Sequence, residues 1–266
     1  MDVRGQAAIV TGGHSGMGFA AAQALAAKGA KVAILGRRAD RVGQKAGEIG
    51  ALGIACDIAD PAAIEAALKT AEAAHGTARI LVHAAADGSM RMLLDADGGP
   101  ASTDAIRRTI DTNVLGTLYV DRAFASRLTK AEPLASGLRG VIVNVSSIGA
   151  ADGVVGCIYA ASKGFVDTLG LSLARELSAW RIRVCTIAPG GIDTEMLRAG
   201  AIEATYDMLR NQVPALQRPG RPEEFGALAL HLCENDYLNG VNIRLDGGMR
   251  IPFTYDVGGG AERPHT

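Results

Sequence analysis

Short runs of β-branched and aliphatic residues alternate with longer Ala- and Leu-rich stretches along nearly the whole chain, and this alternation limits the possible folds most sharply. The short runs lie at 7–11, 31–35, 54–56, 80–84, 141–146, 182–188 and 242–245. Several are continuously apolar, the pattern of a strand covered on both faces. Between them the spacing predicts helices over 18–27, 41–49, 62–74, 103–128, 159–177 and 223–233. Strands and helices in this order predict an α/β fold, a doubly wound parallel sheet of about seven strands with helices on both faces. At 266 residues the chain fits one large domain. It is 48% hydrophobic but only 4% aromatic, so its core must rest on close helix–sheet packing.

Three stretches interrupt the rhythm. Residues 87–102 form a Gly/Asp-rich loop, 130–139 a polar excursion, and 190–217 a long segment carrying Met196, Leu197, Ile202, Tyr206, Met208 and Leu209. That last segment reads either as a helical hairpin packed on the core or as a lid over an apolar ligand, since ligands bind beyond the carboxyl ends of such strands. The expected organisation is one domain over 1–252, with the lid around 190–217, and a C-terminal tail over 253–266. With 27 basic against 28 acidic residues, the chain lacks the footprint of a nucleic-acid binder. Cys56, Cys157, Cys185 and Cys233 have no paired spacing, so reduced thiols are expected rather than disulfides or a metal site. No apolar run reaches membrane-spanning length and none reads as a signal peptide. The expectation is a soluble cytoplasmic protein with no membrane partner.

Directly after the first strand comes Thr11-Gly12-Gly13-His14-Ser15-Gly16-Met17-Gly18, opening a helix. Glycines permit a tight turn and close backbone approach to a ligand. The helix N-terminus presents unpaired N–H groups to a pyrophosphate. The spacing of Gly12, Gly16 and Gly18 and the absence of a GK[ST] element argue for a dinucleotide rather than a phosphate-loop nucleotide. At the end of the second strand, where an acidic side chain would accept a ribose 2′-hydroxyl, stands Gly36-Arg37-Arg38. Arg37 suits a 2′-phosphate, although two solvated arginines starting a helix read equally simply. NADP(H) is therefore favoured slightly over NAD(H). Asp57 and Ile58 follow the third strand, where an adenine edge would lie.

Tyr159 and Lys163 stand at i and i+4 on one helix face. A nearby ammonium lowers a phenol's pKa toward the range useful for proton transfer, and Ser147 lies twelve residues before the tyrosine. The pair alone is common and also fits an ordinary helix.

Taken together, Thr11-Gly12…Gly16…Gly18, Asp57-Ile58, Asn113-Val114-Leu115-Gly116, Ser147, Tyr159…Lys163 and Pro189-Gly190…Thr194 resemble the short-chain dehydrogenase/reductase family. Two further stretches, Gln212-Val213-Pro214 with Arg218-Pro219-Gly220 and the run from Leu238 to Gly247, look closest to its type II 3-hydroxyacyl-CoA dehydrogenase / 17β-hydroxysteroid dehydrogenase subgroup. The resemblance implies a Rossmann-type fold and hydride transfer between a nicotinamide cofactor and a secondary alcohol or ketone. It implies that Tyr159 is the general acid/base, that Lys163 lowers its pKa and holds the nicotinamide ribose, and that Ser147 orients the substrate oxygen. Asn113 would hold a water continuing a proton path from Lys163. Ser15, Met17 and Ala84 match cofactor-lining positions, Ile192 and Thr194 carboxamide contacts, and Pro189 opens their loop. A homotetramer is implied, built through the helices over 103–128 and 159–177.

The chain departs from the family in two places. Val82-His83-Ala84-Ala85-Ala86 replaces an Asn-Ala-Gly type motif, so that His83 either substitutes a structural hydrogen bond or takes a catalytic part. The Ser147–Tyr159 spacing is one residue short, and Ser146 would restore it; the sequence Ser147-Ile148-Gly149-Ala150 favours Ser147. The lid residues point to an apolar or acyl substrate, such as a 3-hydroxyacyl thioester, a steroid or a hydrophobic ketone. Arg91, Arg198 and Arg210 are the cations available to a phosphate-bearing one. A catalytically silent cofactor-binding sensor of the same fold is the alternative; it would be expected to carry a broken Ser/Tyr/Lys set, which is complete here.

Overall fold

The computed structural model describes residues 1–154, 156–200 and 203–251. The tail over 253–266 lies outside them, as do Ile202 and the side chains of Met196 and Met208. In chain order the elements are β1 (Ala7–Thr11), α1 (Gly16–Ala27), β2 (Lys31–Gly36), α2 (Ala39–Glu48), β3 (Leu52–Ala55), α3 (Pro61–His75), β4 (Ile80–His83) and α4 (Thr103–Ile110). A π-helical turn (Asp111–Leu115) leads into α5 (Gly116–Leu128), followed by β5 (Gly140–Val145), α6 (Gly149–Asp152) and α7 (Cys157–Glu176). A 3-10 turn (Leu177–Trp180), β6 (Ile182–Pro189), α8 (Glu195–Gly200), α9 (Glu203–Gln212), α10 (Pro222–Glu234) and β7 (Asn242–Leu245) complete the described chain.

All seven strands are parallel, in the order β3-β2-β1-β4-β5-β6-β7. The order reverses at β1, whose neighbours β2 and β4 are reached by connections running in opposite directions along the sheet. That arrangement opens a crevice at the strands' carboxyl ends. Two cores flank the sheet. One packs Leu25 of α1, Val42 of α2 and Phe225 and Leu232 of α10 against Val10, Ile34, Val82, Val143 and Ile187. The other packs Leu68 of α3 and Phe124 and Leu128 of α5 against Ile9, Leu35, Leu81, Ile142 and Val184. Alternate residues of one strand serve opposite cores, as the pleat requires. Arg183 of β6 is buried and caps α10 at its carboxyl end, donating to the carbonyls of Leu232 (2.9 Å) and Cys233 (2.9 Å).

The helix expected over 103–128 is interrupted. The π turn inserts Asn113 into the interior, where it is buried, and Gly116 then passes so close to Ile58 that a Cβ would lie 3.1 Å from its side chain. Such single-turn π segments arise where tertiary contacts overrule the regular ladder.

A polar row also crosses the apolar interior. Thr11, His83, Asn144 and Thr186 are register partners on β1, β4, β5 and β6, all buried and facing α5 and α7. Asn144 Nδ2 donates to Asp121 Oδ2 of α5 (2.8 Å). The other oxygens of this pair, Asp121 Oδ1 and Asn144 Oδ1, have no partner among the described residues. None of the described helices is long and apolar enough to cross a membrane.

Candidate active site

The glycine turn forms the floor of a cleft of about 570 Å³ above the β1/β4 reversal. Gly12 and Gly16 adopt positive φ (65° and 50°), open to glycine at little cost. A Cβ on Gly12 would lie 2.9 Å from the Ala85 nitrogen, and one on Gly18 would run into the Gly12 carbonyl. Only a bare backbone lets α1 dock this closely on the turn. The cleft wall includes Ser15, Met17, Arg37, Asp57, Ile58, Ala84 and Thr194 together with the three glycines. Asp57 accepts from the Ala59 N–H (3.0 Å) and so turns the chain after β3. Pro189 ends β6, and its carbonyl accepts from the Ile148 N–H (3.0 Å). Ile192 is buried and pairs with Gly220. Pro189, Ile192, Tyr159 and Lys163 lie outside the cleft lining.

Sequence reasoning did not single out His14, Arg41 or Glu195, which also line the cleft. His14 Nδ1 is buried in the turn without a partner among the described residues; burial and then the Arg38 charge push its pKa down. Arg41 lies in the first turn of α2, four residues after Arg37, and that cluster of arginines was the available signal. Its guanidinium pairs with Glu195 of α8 at 3.2 Å, a contact between distant segments that no local pattern records. The cradle of bare glycine backbone, the open helix end and the cationic rim fit the phosphates and adenosine of a nicotinamide dinucleotide.

Ser147, Tyr159 and Lys163 converge at the carboxyl end of β5. The Ser147 hydroxyl accepts from the Gly149 N–H (3.1 Å) and acts on the Tyr159 phenol, pulling its pKa down. Ser146 points the other way: it is buried and donates to the Lys163 carbonyl (3.0 Å). Lys163 is buried, and its ammonium donates to the Val145 carbonyl (2.8 Å). One donor is spent there and two remain. Burial pushes the Lys163 pKa down to about 8.

The expected lowering of the Tyr159 pKa by Lys163 is not found. Burial raises it, and the Ser147 hydroxyl only partly offsets that rise. The ammonium is itself desolvated and turned toward Val145, so its field does not win over the cost of burying a phenolate.

Asn113 is fully engaged. Its Oδ1 accepts from the Asp87 N–H (2.7 Å), and its Nδ2 donates to the Asp87 carbonyl (3.0 Å) and to Ser162 Oγ (2.9 Å). Its main-chain carbonyl accepts from Thr117 Oγ1 (2.8 Å). The side chain therefore fastens the loop after β4 to α7 rather than standing open to water. His83 is buried between Thr11 Oγ1 (3.1 Å) and Thr117 Oγ1 (3.3 Å), a hydrogen-bonding place within the fold.

The segment after β6 packs on the core. Leu209 and Val213 are buried with Ile148 and Met249, and Asp193 ties Arg198 (2.7 Å) and Tyr206 (2.9 Å). Arg210 pairs with Asp207, and Arg91 stands 4.0 Å from Asp87. On the opposite rim the loop after β4 exposes Met90, Met92, Leu93 and Leu94. A Cβ on Gly156, at the start of α7, would lie 3.0 Å from the Met90 backbone, so this apolar loop borders the Tyr159 helix.

Residues 6–203 match the family model for short chain dehydrogenase. A Drosophila melanogaster protein named 3-hydroxyacyl-CoA dehydrogenase type-2 is 36% identical, over 94% of this chain and 99% of its own length. The Homo sapiens protein of that name is 35% identical over 94% and 97%. A crystal structure of 3-hydroxyacyl-CoA dehydrogenase type-2 from Mycobacterium avium superposes with a TM-score of 0.87 at 34% identity, covering 93% of this chain and 97% of that one. The chain belongs to the short chain dehydrogenase family, nicotinamide-dependent oxidoreductases that act on CH–OH groups.

Proposed function

We propose that the chain interconverts a 3-hydroxyacyl thioester and its 3-oxoacyl counterpart, with Tyr159 as the general acid/base. The meeting of Ser147 and Tyr159 above buried Lys163, beside the dinucleotide-shaped cleft, carries this reading. When bound, the nicotinamide supplies or accepts the hydride. In reduction Tyr159 delivers a proton to the substrate oxygen, and its raised pKa keeps that proton in place beforehand. Ser147 donates a hydrogen bond to the same oxygen, stabilising charge as it develops there. Lys163 has two open donors for the ribose and the phenol. Asn113 keeps α7 and the loop after β4 in register.

Two observations support an acyl substrate: the exposed apolar loop carrying Met90, Leu93 and Leu94 at the rim, and the names of the relatives. The segment over 190–217, packed on the core through Leu209 and Val213, bounds the substrate site from the other side as its lid. Gly12, Ser15, Gly16, Met17, Gly18, Asp57, Ile58 and Ala84 would hold the adenosine and pyrophosphate, and Pro189, Ile192 and Thr194 the carboxamide end. Arg37 is exposed at the end of β2 where no carboxylate stands, which favours NADP(H). Leu171 and Trp180, exposed on and just after α7, suit a subunit contact in a homotetramer. The four free thiols suit a reducing cytoplasm.

Turnover measured with NADPH and NADH, each against acetoacetyl-CoA, a ketosteroid and an aliphatic ketone, tests the assignment. The expected outcome is fastest reduction of acetoacetyl-CoA with NADPH, lost in Tyr159→Phe while cofactor binding persists. Full turnover in Tyr159→Phe would refute the acid/base role; preference for the steroid would refute the substrate.

A further inference from the structure

His83 stands in a hydrogen-bonded series whose direction is set at both ends. At one end, the Thr117 hydroxyl has a single proton and donates it to the Asn113 carbonyl (2.8 Å). Its contact with His83 Nε2 (3.3 Å) therefore requires the ring nitrogen to donate. At the other end, the Ala85 N–H donates to Thr11 Oγ1 (3.1 Å), which leaves the Thr11 proton for His83 Nδ1 (3.1 Å). Burial, with Lys163 nearby, holds the imidazole neutral, so one nitrogen must be bare, and these partners make it Nδ1.

The series continues beyond Asn113. Its Nδ2 donates to Ser162 Oγ (2.9 Å), and Ser162 Oγ donates to the Tyr159 carbonyl (2.7 Å). Every hydroxyl in the path donates onward; successive hydrogen bonds polarise one another from Ala85 to the Asn113 carbonyl, and from there the link to Ser162 is carried by the Asn113 side chain. Its first member is the N–H of Ala85, the residue against which Gly12 of the cofactor turn packs. Its last is the backbone of the tyrosine.

We infer that His83, neutral with its proton on Nε2, is a positioning residue that sets the Tyr159 helix against the cofactor turn through Thr117 and Asn113. An imidazole serves because it offers an acceptor and a donor on opposite sides of one rigid ring. Loss of this link lets Tyr159 drift relative to the cofactor turn, and small misplacements of reacting groups are costly in rate. The inference rests on Tyr159 being the acid/base group, but the ring tautomer is measurable without turnover.

Two experiments test it. Long-range ¹H–¹⁵N spectra of histidine-labelled wild-type protein are expected to show a protonated Nε2 and a bare Nδ1 for His83, unchanged from about pH 5 to 9. A proton on Nδ1, or titration in that range, would overturn the inference. Second, kcat is compared for His83→Leu, Thr117→Val and the double variant. Each single change is expected to lower kcat about tenfold, with the double variant no slower than the slower single and the cofactor KM shifted less than about threefold. Losses that multiply, or wild-type kcat in His83→Leu, would overturn it. His83→Gln, which keeps a donor toward Thr117, is expected to recover part of kcat; no recovery counts against the link. If His83→Leu does not fold, the tautomer decides alone. Full turnover in Tyr159→Phe with the expected tautomer would remove the acid/base reading and leave the His83 geometry standing.

Discussion

Asp121 titrates inside the protein, and replacing it makes stability respond to pH in a calculable way. Its carboxyl is buried, and burial lifts its pKa from 3.8 to about 7, with the Asn144 amide pulling in the opposite sense. Asp121 Oδ1 and Asn144 Oδ1 both lack a donor, and a proton on the carboxyl supplies one. In the unfolded chain the group ionises near its ordinary value; in the folded chain it keeps its proton to about pH 7. Its contribution is complete below about pH 4 and is lost as pH rises to about 7, at ~1.4 kcal/mol per unit, or roughly 4 kcal/mol in all. Asp121→Asn removes the titration and keeps a complementary pair, because two side-chain amides can each donate to the other. Thermal unfolding of both proteins at pH 5 and pH 8.5 measures the difference, and the contributions of all other groups cancel within it. The variant should gain roughly 2.7 kcal/mol on the wild type between these pH values, or about 5–11 °C in Tm for a chain of this size. A Tm difference equal at the two pH values would refute the argument, since it would mean that Asp121 is ionised or solvated throughout.

Two further outcomes follow from the site. Ser147→Ala should lose about 10²–10³ in kcat, while Ser146→Ala, which gives up only its bond to the Lys163 carbonyl, should keep most turnover and cost about 1 kcal/mol of stability; the reverse ranking in steady-state assays would exchange their roles. Gly18→Val drives a side chain into the Gly12 carbonyl and should abolish saturable cofactor binding by fluorescence titration, so wild-type affinity in that variant would refute the cradle.

Much of this architecture is legible along the chain because the sheet is parallel and covered on both faces. Strands β1 and β7 begin and end where the apolar runs do, and the glycine turn after β1 announces the cleft above the β1/β4 reversal. Periodicity reports burial, however, and not the partner a buried group finds. The π turn at Asp111–Leu115 was read as plain helix because its cause, the grip of Asn113 on the Asp87 backbone, comes from a loop far back in sequence. The Arg41–Glu195 pair was invisible for the same reason. The Tyr159 pKa went the other way from expectation because i+4 spacing gives proximity to Lys163 but says nothing of how deeply both groups are buried. Ser147 and Ser146 were separable only in part from sequence; the side chain that turns toward the phenol is a matter of strand pleat and of what Lys163 needs.

The reversal of strand order at β1 also sets a timetable for folding. One edge of β1 pairs with β2 soon after both are made, but the other stays bare until residues 80–83 arrive as β4. An apolar strand with an open edge is a template for wrong pairing, and this one lies in the middle of the finished sheet. The glycine turn is synthesised early, yet the backbone of Ala84 and Ala85 that it packs against comes only with β4. A dinucleotide therefore meets an incomplete cradle until β4 has paired with β1, and because a ligand stabilises only states that bind it, it acts on states that already hold β4 and on the native protein rather than as an early template.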